Sequence, residues 1–263
     1  MTLTGGDSVE MTCDHPMVPT DESNLMVRAV RAFHKAAGIS QGIKMSLCKR
    51  IPVGGGLGGG SANAATVLLG LQKMHRTPFS HKKLLQIAGT LGSDVPFFVM
   101  EKPWAFGTGR GEQIESLSLP LSISLWHLVI WPSFPIPTKE IYQALRQAGL
   151  PIARLPDGQG QAGLTVKKPD VRLLCTALKG TDLLKVSDLL FNALEPTVEV
   201  LYPAIRHVKA MIQTQKGLLR PFVSGSGSSV VALSFSREDA EQAAAQIRRQ
   251  EPGWLVFVAQ TQN

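Results

Sequence analysis

Six glycines stand within the seven positions from Gly54 to Gly60, in the stretch IPVGGGLGGGSANAAT that covers residues 51–66. Consecutive glycines allow successive backbone N–H groups to point into one concavity, and such a concavity binds anions. Small and apolar residues recur at helical spacing from Ser61 to Met74. The loop therefore leads into a helix N-terminus, which adds unpaired N–H groups and the positive end of a dipole. We expect the main chain here to bind the phosphates of a nucleotide.

Three kinds of glycine-rich loop compete for this pattern. A P-loop ends in Lys followed by Ser or Thr, whereas this run ends in Gly-Gly-Gly-Ser-Ala-Asn. Gly54, Gly56 and Gly59 match the dinucleotide fingerprint, but residues 78–86 offer no acid at the distance that the ribose contact requires. The VAIK, HRD and DFG partners of a protein-kinase loop are absent. The remaining alternative is a flexible loop or a helix cap. One glycine would be enough for such a role, whereas six are present here.

The elements that position this loop follow from hydrophobic periodicity and turn residues. Strands are predicted within 2–12, at 43–47, in the second half of 93–100, at 126–132, after the turn 224–229 and at 253–261, and a hairpin within 104–117. Helices are predicted at 25–38, 61–74, 81–92, 138–149, 170–178, 182–191, 198–215 and 236–250, and a loop at 151–170. Strands and helices alternate without strict βαβ spacing, so the predicted fold class is α+β.

Charge and composition restrict the partners and the compartment. The formal charge of +7 favours anionic partners, which include nucleic acids, membrane surfaces and phosphorylated small molecules. Basic residues are not clustered and aromatic residues are too sparse to interleave them, which disfavours nucleic acid. The chain has three cysteines, Cys13, Cys48 and Cys175, which form neither a CxxC pair nor a Cys/His cluster. We therefore expect neither a zinc site nor a disulfide framework, and we expect the protein to reside in a reducing cytosol. No apolar run reaches transmembrane length, and the N-terminus is unlike a signal peptide.

The run from Pro52 to Ala65 resembles the second motif of the GHMP small-molecule kinases. Within that family it resembles the branch that acts on a cytidylated methylerythritol. That branch replaces two serines by glycines and places its serines later, as here at Gly59, Gly60 and Ser61. Other similar segments follow in the same order: DESNLMVRA, LGSDVPFF, GTGRGE, IPTKEIY, FNALEP and VSGSGSSV. The resemblance covers the chain from about Thr2 to its end.

The resemblance implies a two-lobed α+β fold, with an ATP-binding lobe over residues 1–118 and a substrate lobe over residues 119–263. The first lobe would be like domain 2 of ribosomal protein S5 without its first strands, and the second would be ferredoxin-like. The implied reaction is the ATP-dependent phosphorylation of the 2-hydroxyl of 4-diphosphocytidyl-2-C-methyl-D-erythritol in the non-mevalonate isoprenoid (terpenoid) pathway. Mg²⁺ is expected to arrive on the phosphates of ATP. We expect a monomer or homodimer in a bacterial cytoplasm, without nucleic-acid or membrane partners.

The resemblance also assigns roles to residues that position alone leaves open. Asp94 would accept the proton of the substrate hydroxyl, although an aspartate before Val95-Pro96 is also typical of a turn. Lys49 and Asn24 match positions near the adenine, and are equally typical of a solvated lysine and a helix cap. The predicted ATP site comprises Pro52, Val53, Gly54, Gly55, Gly56, Leu57, Gly58, Gly59, Gly60, Ser61, Asn63, Lys49 and Asn24.

The predicted substrate residues are Tyr142, Thr138, Pro137, Gly225 and Gly227. Tyr142 matches an aromatic residue that stacks on cytosine, a contact worth roughly 1–3 kcal/mol, and a tyrosine half-buried in the core is the alternative. The Ser-Gly stretch 224–229 would face the phosphate loop, or it is a plain turn before a strand. Three tryptophans are expected in the core rather than at a ligand: Trp104, Trp126 and Trp131.

Two departures from the family keep alternatives open. Ala62 replaces the second serine of the loop. The family also opens with a Pro-Ala-Lys-Ile-Asn-Leu strand, which carries its catalytic lysine, and an Asp-Gly-Tyr-His segment that grips cytosine. This chain starts after both, so either the start codon lies further upstream or the chain is truncated. The alternatives are therefore an impaired or vestigial nucleotide-binding member, or another GHMP kinase acting on homoserine or mevalonate. Gly59, Gly60 and the IPT…Y segment argue against the latter.

Overall fold

The computed structural model describes residues 2–76, 79–118, 125–147, 170–180, 182–234 and 236–261. The chain forms two compact units, Met1–Val53 with Gly58–Leu117, and Gly54–Leu57 with Ser118–Asn263. Four residues of the glycine loop thus group with the second unit, although the predicted ATP-binding lobe over residues 1–118 includes them. The loop predicted at 151–170 lies outside the described residues, apart from Asp170 at its end.

The described part of the first unit contains a three-stranded sheet, four helices and a hairpin. Its elements are β1 (Thr2–Gly6), β2 (Val9–Cys13), α1 (Leu25–Ala37), β3 (Gly42–Leu47), α2 (Gly59–Met74), α3 (His81–Leu91), α4 (Val95–Val99), β4 (Ala105–Thr108) and β5 (Gln113–Ser116). The central strand β3 pairs antiparallel with β1 and parallel with β2. The predicted hairpin is confirmed as β4 and β5, which pair antiparallel.

Helix α1 begins and ends where its capping residues stand. The side chain of Asn24 accepts a hydrogen bond of 2.8 Å from the Met26 N–H, which satisfies one of the free donors at the helix start. Gly38 ends the helix in the left-handed conformation, with φ 67°. The buried face of α1, with Val30 and Phe33, packs against α2 in the core of the first unit.

The strand predicted after Ser93 is wrong, because residues 95–99 form the short helix α4. An apolar run of this length cannot be assigned by periodicity alone. Pro96 stands in the first turn, where a missing N–H costs nothing and the fixed φ suits a helix. Val95 and Val99 are both buried, and their spacing of four residues matches one helical face.

The second unit contains a four-stranded antiparallel sheet covered by helices. Its described elements are β6 (Trp126–Trp131), α5 (Thr138–Gln147), α6 (Val171–Lys179), α7 (Leu183–Leu189), α8 (Glu195–Leu201), α9 (Ala204–Gln213), β7 (Phe222–Val223), β8 (Val230–Ser234), α10 (Arg237–Gln250) and β9 (Leu255–Gln260). The strand order is β7-β8-β6-β9. Leu128 and Ile130 of β6 lie in the core that this sheet shares with its helices. The predicted α+β class is confirmed.

The single helix predicted at 198–215 is two helices in the structure. α8 ends at Leu201, and α9 begins at Ala204. Pro203 lacks a backbone N–H and restricts the residue before it, so Tyr202 leaves the helical region with φ −128° and ψ 75°. Among the described residues, none of the helices has the length and apolar character needed to cross a bilayer.

Candidate active site

The backbone of the glycine loop alternates in handedness. Gly54, Gly56 and Gly58 have positive φ values of 69°, 71° and 66°, while Gly55 and Leu57 between them do not. Residues with side chains rarely adopt positive φ, which explains why glycine occupies these three positions. Alternation of this kind turns successive amide groups toward the same side of the chain, and it is the geometry of main-chain anion sites.

Three consecutive carbonyl groups of the loop accept hydrogen bonds from residues 136, 224 and 229 of the same unit. The Gly54 carbonyl accepts from the Ile136 N–H at 3.0 Å, and the Gly55 carbonyl accepts from the Ser229 N–H at 3.1 Å. The Gly56 carbonyl accepts from Ser224 Oγ at 3.0 Å. In a planar trans peptide the C=O and the following N–H point in opposite directions. The N–H groups of residues 55, 56 and 57 therefore point away from these anchors.

Trp131 and Ser229 pack directly beneath Gly55. A Cβ atom at Gly55 would lie 3.0 Å from Ser229 Oγ and 3.1 Å from an indole carbon of Trp131. Both polar side-chain atoms, Trp131 Nε1 and Ser229 Oγ, are buried without a hydrogen-bond partner in the described part of the chain. Trp131 is only partly buried and lies against Gly55, so it supports the loop, whereas the core was its predicted location. The other two tryptophans, Trp104 and Trp126, are also only partly buried.

The loop continues in the first unit as the N-terminus of α2. Gly58 precedes the helix and supplies no side-chain cap, so the N–H groups of residues 59–61 have no partner within the helix. The ammonium Nζ of Lys49 lies 2.7 Å from the place that a Cβ of Gly59 would take. Burial lowers the pKa of Lys49. No carboxylate among the described residues pairs with it, so the cation and the helix dipole together favour an anion here.

The remaining residues of the predicted ATP site lie at the start of α1 and on either side of the glycines. Leu25, the first residue of α1, brings that helix start to α2, since its Cδ1 lies 3.8 Å from a Cβ position at Gly60. The Asn24 side chain caps α1 and also donates to the Pro19 carbonyl at 2.5 Å, so the structure shows the helix cap, and its contact with adenine stays a prediction. Four further predicted residues are half-buried: Pro52, Val53, Ser61 and Asn63.

Asp94 stands at the start of α4 with an exposed carboxylate. This carboxylate makes no cap hydrogen bond and no ion pair within the described ranges. Phe98, four residues later, packs against Gly58 just before α2, because a Cβ at Gly58 would lie 2.8 Å from its ring. Residues four apart share a helix face. Asp94 is therefore on the face of α4 that meets the start of α2.

One predicted substrate residue outside the turn formed by residues 224–229, Thr138, is hydrogen-bonded to that turn. Thr138, the first residue of α5, shares a hydrogen bond of 2.8 Å with the hydroxyl of Ser226. A Cβ at Gly225 would lie 3.2 Å from the Gly56 carbonyl oxygen, so the turn lies against the loop. Pro137 is exposed just before α5, and Gly227 lies in the same turn. Tyr142 is 42% exposed one helical turn after Thr138, rather than half-buried in the core.

Two family models match this chain. The model described as GHMP kinases N terminal domain matches residues 24–102, and the one described as GHMP kinases C terminal matches residues 174–253. The first match contains the glycine loop and Asp94, and the second contains the turn at 224–229. The chain belongs to the GHMP kinase family, and the predicted family and its fold are confirmed.

Individual relatives and solved structures show which members of the family this chain is similar to. The chain is 36% identical over 241 residues to a 4-diphosphocytidyl-2-C-methyl-D-erythritol kinase from Pelotomaculum thermopropionicum. The aligned region covers 91% of this chain and 77% of the relative. A crystal structure of 4-(cytidine 5'-diphospho)-2C-methyl-D-erythritol kinase superposes with a TM-score of 0.70 at 28% identity, over 99% of this chain and 86% of that one. A homoserine kinase from Cytophaga hutchinsonii reaches a TM-score of 0.72 at 22% identity, over 99% and 84% of the chains, and shares the fold.

Proposed function

We propose that this chain transfers the γ-phosphoryl group of ATP to the 2-hydroxyl of 4-diphosphocytidyl-2-C-methyl-D-erythritol. The substrate oxygen forms the new bond to the γ-phosphorus as the bond from that phosphorus to the β-phosphate oxygen breaks. ADP leaves with the electron pair, and the hydroxyl proton passes to the protein. The product is the 2-phosphate of the same cytidylated sugar alcohol.

The observation that carries the nucleotide part of this proposal is the anchoring of the loop carbonyls. Because the carbonyls of Gly54, Gly55 and Gly56 are bound on one side, the next three N–H groups are presented on the other without rearrangement. Donors that are already oriented lose little entropy when phosphate oxygens accept from them. Within the first unit, the free N–H groups at the start of α2 and the Lys49 ammonium also favour an anion.

Asp94 is the proposed proton acceptor. Its carboxylate is exposed and without a cap hydrogen bond, so it is available to a hydroxyl group. Phosphoryl transfer consists mainly of positioning and of neutralising charge, and a carboxylate that orients the attacking hydroxyl is a recurring part of it. Mg²⁺, when bound, would neutralise charge on the phosphate oxygens that carry it. The described residues contain no cluster of three or more His, Cys, Asp or Glu side chains suited to a metal ion.

The choice of the acceptor rests on the relatives together with the second unit. The Pelotomaculum relative bears the name of the kinase for this substrate and covers most of the chain. Thr138, Gly225 and Gly227 would face the sugar alcohol, and the exposed ring of Tyr142 would stack on the cytosine. We further propose that residues 1–118 serve mainly ATP and residues 119–263 mainly the acceptor, in a monomer or homodimer of the bacterial cytoplasm.

A substrate panel tests this function. The purified protein is incubated with ATP, Mg²⁺ and one acceptor at a time: the cytidylated methylerythritol, homoserine or mevalonate. ADP release is followed by a coupled assay, the product by ³¹P NMR, and ATP affinity by calorimetry. We expect turnover with the cytidylated substrate alone. Preferential turnover of homoserine or mevalonate would show that the proposed acceptor is wrong. ATP binding without turnover of any acceptor would instead favour a vestigial nucleotide-binding member of the family.

A further inference from the structure

The short segment Asn192–Glu195 holds the strand that leads into the turn at 224–229. The Glu195 carboxylate accepts a hydrogen bond of 2.9 Å from the Val223 N–H. The Asn192 amide donates to the Val223 carbonyl at 2.7 Å and to the Gly225 carbonyl at 2.8 Å. Val223 ends β7, the edge strand of the sheet. Its main-chain groups are thus satisfied by two side chains in the place where another strand would pair.

A buried ion pair keeps this arrangement in place. Glu195 is only 9% exposed, and its carboxylate also accepts a hydrogen bond from the Lys209 ammonium. Lys209 bonds in addition to Glu199 at 2.5 Å. Burial alone would lower the pKa of Lys209, but its hydrogen bonds to the two glutamates outweigh burial and raise that pKa. Lys209 therefore stays charged and compensates the buried carboxylate, which would otherwise be costly to bury.

The residue after Val223 carries the connection to the loop. Ser224 Oγ donates to the Gly56 carbonyl at 3.0 Å, and the Ser224 N–H donates to the Ser229 carbonyl at 2.9 Å. A Cβ at Gly56 would lie 2.1 Å from the Ser224 carbonyl oxygen, so the two backbones are in direct contact. A small displacement of Ser224 must therefore displace Gly56.

We propose that Asn192 and Glu195, with Lys209 as the counter-ion, are positioning residues that hold the loop Gly54–Leu57 in its phosphate-binding shape through Val223 and Ser224. This inference rests on the proposed function, because it assigns a purpose to the loop that is held. The FNALEP segment stands out in the sequence only through the family resemblance, and nothing in the spacing of Asn192 and Glu195 points to Val223. Their contacts form only when the start of α8 and the residues just before it lie beside β7.

The test is a double-mutant cycle on nucleotide affinity, measured by calorimetry with a non-hydrolysable ATP analogue. Asn192→Ala removes both amide donors, and Ser224→Ala removes the donor to Gly56. We call the path from Asn192 through Val223 and Ser224 to Gly56 the relay. If this relay carries both effects, each single variant weakens ATP-analogue binding about tenfold. The double variant then binds only slightly more weakly than either single variant, since coupled residues are not additive. Independent effects would instead multiply to about a hundredfold and would overturn the proposal. Glu199→Gln is the matched control, because it changes the other partner of Lys209 without touching Val223.

A second readout separates this proposal from the proposed function. Hydrogen exchange of the peptide containing residues 54–57 is compared among the wild type, Asn192→Ala and Glu199→Gln, with no nucleotide present. Faster exchange in Asn192→Ala alone supports the relay even if the wild type fails to bind ATP, in which case only the proposed function is lost. Equal exchange in all three overturns the relay. If Asn192→Ala does not fold, Asn192→Asp replaces it, because it keeps the size and the acceptor oxygen for the Leu194 N–H but loses the amide donor to the Val223 and Gly225 carbonyls.

Discussion

Replacement of Gly56 by alanine should distort the loop without any change of charge. Gly56 has φ 71°, and its added Cβ would stand 2.1 Å from the Ser224 carbonyl oxygen and 2.8 Å from the Gly227 carbonyl oxygen. Both obstacles are main-chain atoms, which cannot rotate away as a flexible side chain would. The loop and the turn at 224–229 would have to separate, and the Ser224 hydrogen bond to the Gly56 carbonyl would be lost.

The size of the effect follows from two contributions. A residue with a Cβ in the left-handed conformation costs about 1–2 kcal/mol. Forcing extra volume into a packed site costs about 1–3 kcal/mol more. We therefore expect Gly56→Ala to lower the free energy of unfolding by roughly 2–5 kcal/mol. The displaced N–H groups should weaken ATP binding about tenfold to a hundredfold, since hydrogen bonds to charged groups contribute about 1.5–3 kcal/mol each.

Gly38→Ala is the matched control for this prediction. Gly38 has a similar φ of 67°, but an added Cβ would meet no atom within 4 Å. It carries the conformational cost of about 1–2 kcal/mol without the clash, and it lies at the end of α1. Urea denaturation gives the two unfolding free energies, and calorimetry gives the two ATP affinities. Equal stability of the two variants, together with unchanged ATP affinity in Gly56→Ala, would refute the close-contact argument.

Two further predictions concern proton transfer and pH. Asp94→Asn should lower kcat by about 10²–10⁴ in steady-state kinetics while ATP affinity stays unchanged, and retention of the full rate would exclude Asp94 as the base. Burial, and then the positive charges of His75 and Arg31, lower the pKa of His34 from its ordinary 6.5. The unfolded chain then binds more protons, so the unfolding free energy should fall as the pH drops through about 6.5, by at most about 1.4 kcal/mol per unit. Urea denaturation at several pH values should show that the unfolding free energy of His34→Leu changes less steeply with pH than that of the wild type. The remaining dependence would come from His127 and other groups. An identical dependence on pH in the two proteins would contradict the prediction.

Elements bounded by local signals could be predicted from the sequence. Ser80 and Ser236 cap α3 and α10, where each side chain accepts from the N–H three residues later. Gly38 ends α1 because it adopts the left-handed conformation without strain. These signals act within a few residues, so they do not depend on the rest of the fold.

The two wrong assignments arose where local signals conflict. The run from Val95 to Val99 is apolar enough for a strand, and its burial against neighbouring helices favours α4 instead. The helical pattern from 198 to 215 continues across Pro203, although proline cannot continue the hydrogen-bonding of the preceding helix. In both places a single proline carried the information that periodicity obscured.

The sequence by itself determined that a glycine loop, residues 54–58 in the structure, precedes a helix, because only glycine adopts alternating positive φ without strain. Tertiary structure alone decided which way the amides of that loop point. The residues that bind its carbonyls, Ile136, Ser224 and Ser229, lie far along the chain from Gly54–Gly56. Hydrogen bonds over such separations depend on the packing of the whole second unit, and no local pattern of residues encodes them.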